Sequence, residues 1–86
     1  MTMDKKKVYK MIDVERAYQD MLPPDRVDGR IHTVAEEILL VKEYSNRATK
    51  AWVDNAGDKQ ALDVLIKVAA ICVRCLENHR KDYSEK

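Results

Sequence analysis

The chain has 86 residues, enough for one small domain or one subunit of an assembly. Charged residues make up 36% of it but nearly cancel, at net +1, which argues against a general nucleic-acid binder; the 45% of apolar residues fall in clear patterns, which argues against disorder. Two Gly, two Pro and no Phe point to an all-α chain.

The first predicted helix runs from about residue 6 to residue 21. Met11, Val14, Tyr18 and Met21 recur on one face, with Val8 a turn earlier, and this stripe is expected to be core. Pro23 and Pro24 end the helix, since proline supplies no amide and restricts the residue before it. Asp28-Gly29 then reads as a turn.

The second predicted helix, about 34–53, has a capping box at its start, Thr33 with Glu36. Val34, Ile38, Val41, Ser45, Ala48 and Trp52 follow as a heptad-like stripe, expected to face the bundle. Glu43 and Arg47, four apart, are expected to pair on the outer face. Gly57 breaks the pattern, and Asp58 is the expected N-cap of a third helix, about 59–78, with a polar tail at 79–86.

Within that third helix, thirteen of the sixteen residues from Ala61 to Leu76 are apolar. Leu62, Leu65, Ala69, Cys72 and Leu76 form one seam; Ala61, Val64, Val68, Ile71 and Cys75 form a second beside it. A helix apolar nearly all round is buried nearly all round. Two further short helices cannot cover it, so a homodimer or larger homo-oligomer is expected. Asp63 and Lys67 are an expected i,i+4 pair on its thin polar side. The run is too short and too charged to span a bilayer, and no apolar signal core follows the N-terminal lysines. Cys72 and Cys75, three apart, are expected to be buried thiols of a reducing compartment. With His79 and a further ligand such as His32 they are also a zinc-site alternative.

Several local strings carry a resemblance. Ala51-Trp52 with Gly57-Asp58, and the string Arg74-Cys75-Leu76-Glu77-Asn78-His79, resemble small helical proteins of tailed phages, over roughly residues 14–79. Those proteins in turn resemble shortened MazG-like all-α nucleoside triphosphate pyrophosphohydrolases, which hold magnesium with an EExxE motif on one helix and ExxD on the next. The chemistry needs several hard oxygen ligands converging on the metal. Here the motif is degenerate. Starting from Glu36-Glu37, the third acid falls on Leu40; starting from Glu43, the later positions fall on Tyr44 and Arg47; and Gln60-Ala61-Leu62-Asp63 keeps only the Asp.

The resemblance therefore implies a non-catalytic, phage-type protein of a bacterial cytoplasm. Its expected role is to sequester a nucleotide or a nucleotide-derived immune messenger between subunits, without a cofactor. The expected ligand residues are Arg26, Arg30, His32 and Thr33 around the capped N-terminus of the second helix, Tyr44 and Arg47 along it, Lys67 on the third and Tyr9 on the first. Free amides, a helix dipole and basic residues make such a corner suited to phosphate, and a tyrosine ring stacks on a base. Two alternatives stay open. One is a magnesium-dependent hydrolase using Glu36, Glu37, Glu43 and Asp63; the other is a protein–protein interaction module.

Overall fold

A computed structural model of the protein describes residues 2–21, 31–55 and 57–80. Among these residues there are three helices and no strand: α1 (Lys5–Met21), α2 (Val34–Asn55) and α3 (Lys59–His79). Each start has its own local cause. The Asp4 carboxylate accepts the Lys7 amide at 3.0 Å and opens α1. At α2 the capping box closes in both directions. The Glu36 amide donates to Thr33 Oγ1 at 3.2 Å, and the Thr33 amide donates to Glu36 Oε1 at 2.7 Å.

The start of α3 departs from expectation. Asp58 occupies the N-cap position, but its side chain makes no cap hydrogen bond. Its Oδ1 instead accepts the Trp52 indole N–H at 2.9 Å, tying the end of α2 across the turn.

Helix α3 is the shared partner: α2 and α1 both pack on it, and among the described residues they do not contact each other. α2 runs antiparallel to α3, as Glu37 with Arg74 at one end and Trp52 with Asp58 at the other require. α1 runs in the same sense as α3, with Glu15 reaching Lys67 and Arg16 reaching Glu77.

The α1 stripe is rotated away from the core and the α2 stripe only in part: Ala48 is buried and Val41 and Ser45 are half-buried as expected, while Val34, Ile38 and Trp52 are exposed. On α2, Ile38 is 60% exposed and Trp52 52%, while Glu37, Val41, Tyr44 and Ala48 turn toward α3. On α1, Met11, Val14, Tyr18 and Met21 are exposed, while Val8, Ile12, Glu15, Arg16 and Gln19 turn inward. The cause is the same in each case. A charged residue on the helix finds its opposite charge on α3, and that pairing sets the rotation. The apolar count alone had favoured the other face.

On α3 the second seam packs inward, with Ile71 buried and Val64, Val68 and Cys75 half-buried. The first seam stays open: Leu62, Leu65, Cys72 and Leu76 are all exposed, so Cys72 is not the buried thiol expected. Among the described residues, full burial is confined to Ala48, Ala70, Ile71 and one carboxylate, Glu37. None of the described helices is long and apolar enough to cross a membrane.

Candidate functional site

The most ordered constellation is built on Glu37, which is 1% exposed. It lies in the first turn of α2, where the capping box has fixed the helix start, and it faces the last third of α3. Arg74 grips it with both prongs, Nε to Oε2 at 2.9 Å and NH2 to Oε1 at 2.7 Å. His32 Nδ1 lies 3.3 Å from Oε1. His79 Nε2 donates to the His32 carbonyl at 2.9 Å, so the end of α3 holds the residue that leads into α2.

Burial pushes the Glu37 carboxyl up, but the Arg74 bonds, with His32 beside them, outweigh it and hold the group below the usual carboxylate range. The same surroundings push the Cys75 thiol up, chiefly by burial and then through the charge of Glu37. A carboxylate held this way accepts from partners on two sides and is committed to fastening α2 onto α3.

The residues expected to form a ligand site are dispersed. Thr33 is engaged in the capping box and His32 with Glu37. The Arg47 guanidinium stacks 4.5 Å from the Tyr44 ring centroid and pairs with Glu43 at 3.3 Å. Lys67 does not pair with Asp63. It reaches Glu15 of α1 at 3.5 Å and lies 5.7 Å from the Tyr18 ring, while Asp63 pairs with Lys59 at 3.6 Å. Tyr9 sits on α1 with Lys5 over its ring at 5.8 Å. Arg26 and Arg30 fall outside the described residues.

The four carboxylates of the hydrolase alternative are likewise engaged separately: Glu36 at Thr33, Glu37 at Arg74, Glu43 at Arg47 and Asp63 at Lys59. Among the described residues no three His, Cys, Asp or Glu side chains gather in a way that could hold a metal ion, which covers the Cys72, Cys75 and His79 grouping as well.

Comparison with known protein families, with functionally characterised proteins and with solved structures finds no match to this chain. The surface therefore has to be read from its own chemistry.

Helix geometry shows what sequence reasoning had not located. At about 100° per residue, the exposed seam of α3 lies on the open side of the helix, turned away from α1. α2 is antiparallel and right-handed like α3, so its exposed Val34, Ile38 and Trp52 turn toward the same side. The pairing of Glu37 with Arg74 sets the level of the two helices. By helix rise Ile38 then falls at the level of Cys72 and Leu76, and Trp52 toward the Leu62 end of α3. The result is one apolar face carried by α2 and α3, with small residues Ser45 and Ala69 through its middle. No Asp, Glu, Lys or Arg belongs to the stripe of α2 or to the open seam of α3. The signal was present in the sequence as two stripes; their shared side needed the topology.

A separate open groove of about 540 Å³ runs along the outer side of α2, lined by His32, Glu36, Leu39, Leu40, Lys42, Glu43 and Asn46. Tyr44, Arg47 and Lys67 are not on the apolar face either. Subunits joined through that face would not bring the expected ligand residues together.

Proposed function

We propose that this protein is a non-catalytic helical assembly module whose working surface is the apolar face of α2 and α3, occupied by a second copy of the chain. The observation that carries this is the exposure of Val34, Ile38, Trp52, Leu62, Leu65 and Leu76, each between 45% and 60%, on one side of a two-helix layer. The seam from Leu62 to Leu76 is about 21 Å long at 1.5 Å per residue, and two helices at their usual spacing make the layer about 20 Å wide. At roughly 400 Å² in projection, the patch is of the size of the largest apolar patches on small proteins, which are often functional.

Magnitudes favour association. Fully burying a large apolar side chain contributes about 1.5–3 kcal/mol, so completing the half-burial of six on each of two copies contributes on the order of 9–18 kcal/mol gross. The loss of translational and rotational freedom costs about 4–15 kcal/mol. Light scattering on the purified chain is expected to report a dimer at micromolar concentration, and Leu65→Glu a folded monomer. A folded wild-type monomer would sink the reading.

A second reading keeps the nucleotide-type ligand of the phage-protein resemblance, and the groove on α2 favours it. Its volume lies within the range of small-molecule sites. Leu39 and Leu40 offer an apolar floor for a base, with Lys42 as a cationic neighbour and the His32 ring beside it. Glu36 and Glu43 oppose a polyphosphate, so the groove suits a nucleoside carrying little negative charge. Such a ligand is expected to raise the melting temperature by mass action, and Lys42→Ala to abolish the rise. No rise with any nucleoside or nucleotide at millimolar concentration would end this reading.

A further inference from the structure

The geometry points to a specific way for the second copy to lie. We propose that two copies pack antiparallel along α3, related by a two-fold axis that crosses the helix at Ala69. This rests on the assembly reading above and adds the axis, the direction and the register.

Three observations carry it. First, the open seam of α3 is nearly symmetric about Ala69. Leu62 and Leu76 lie seven residues to either side of it, and Leu65 and Cys72 lie four and three. A two-fold axis at Ala69 therefore brings Leu62 against the partner's Leu76, and Leu65 toward the partner's Cys72, twice over. An isologous interface needs this self-complementarity.

Second, residue size follows the shape of a helix crossing. Packed helices cross at an angle, so they are closest at the crossing and diverge from it. Ala69 is the small residue at the centre and the leucines stand at the ends, where the gap widens. Ser45 keeps the adjoining stretch of α2 low, and Trp52, toward the Leu62 end, reaches the end of the partner that carries Ile38 and Leu76.

Third, the seam holds no charged residue, so a copy laid on it opposes no like charges. The antiparallel sense also sets the two α3 dipoles head to tail.

The test is a disulfide between copies, because a bridge demands Cα atoms within about 7 Å of each other. In a Cys72→Ser, Cys75→Ala background, Ala69→Cys is expected to give a linked dimer on mild oxidation. A mixture of Leu62→Cys and Leu76→Cys chains is expected to link to each other more than either links to itself. Asn46→Cys, on the outer side of α2, serves as the unlinked control. If the background chain is a dimer by light scattering but Ala69→Cys stays unlinked and Leu62→Cys links to itself, the antiparallel axis is overturned while assembly stands. If the wild-type chain is monomeric, both this proposal and the assembly reading fall. The conservative size of Ala69→Cys preserves the fold, and the mixed pair gives an independent reading should it not.

Discussion

Helix α3 is held on its two covered flanks by different physics. On the α2 flank a carboxylate at 1% exposure is gripped by two Arg74 bonds and by His32, and Ile71 and Ala48 are buried on the same flank. On the α1 flank the Arg16 guanidinium forks onto Glu77 at 2.7 and 3.1 Å and also reaches Asp20, and Glu77 is half exposed to water. Arg16 is held above its usual value mainly by Glu77, and Glu77 is held below its own mainly by Arg16. The two flanks use the same chemistry, an arginine fork on a glutamate. What differs is water. A buried pair cannot lose one member cheaply, because the other is left charged and undersolvated. On the α1 flank only the glutamate is wet, at 49% exposure against 11% for the Arg16 side chain, so water replaces the partner of Glu77 more readily than that of Glu37. α2 and α3 thus form the durable hairpin, and α1 is the detachable helix.

Glu37→Ala gives the largest expected effect. It removes the buried anchor of α2 and the bidentate partner of Arg74, and should cost about 3 kcal/mol, which for a chain this small lowers the melting temperature by more than about 10 °C. Equal small losses for Glu37→Ala and Glu77→Ala would erase the contrast between the flanks. Acid should then reveal the same asymmetry. The folded Glu37 carboxyl titrates below its ordinary value of 4.5, so its contribution is present above that value and is lost as the pH falls through the folded one. Glu37→Gln should flatten the decline in thermal stability below pH 4.5, and Glu77→Gln should change it much less.

Thr33→Ala comes next, at about 1 kcal/mol, since it removes one half of the capping box and releases the first turn that positions Glu37. The smallest effect is expected at Glu77→Ala, below about 1 kcal/mol in global stability, since Glu77 is half exposed and Arg16 keeps Asp20 and Gln19 as partners. Its signature is local: faster amide exchange confined to α1, reproduced in the wild-type chain by raising salt. Exchange that spreads evenly over all three helices would mean that α1 is not the looser element.

What the sequence disclosed depended on distance along the chain. The Thr33–Glu36 box and the Glu43–Arg47 pair are three- and four-residue relations, and both are present in the structure. The two seams of α3 were separable by period, because a helix fixes which residues share a face. Which seam turned outward was not legible, since that depends on what α1 and α2 bring. Glu37 is the clearest case. The sequence marked it only as one of the acids of the hydrolase alternative, and the partner that takes it in stands 37 positions away. Lys67 was matched to Asp63 one turn before it, but its partner Glu15 is 52 positions earlier. Of the expected ligand residues, His32 and Thr33 proved to have internal partners, a cost of position that composition does not disclose.

Trp52 is the sole tryptophan of the chain, half exposed on the rim of the apolar face and steered there by Asp58. That placement gives the molecule an optical gauge of its own. In a lone subunit the indole faces water and should emit toward the red. With the face covered, its emission should move to the blue while the helix signal stays constant. A dilution series read in the fluorimeter would follow the occupancy of that face without a label, and it would register any other molecule that settles there.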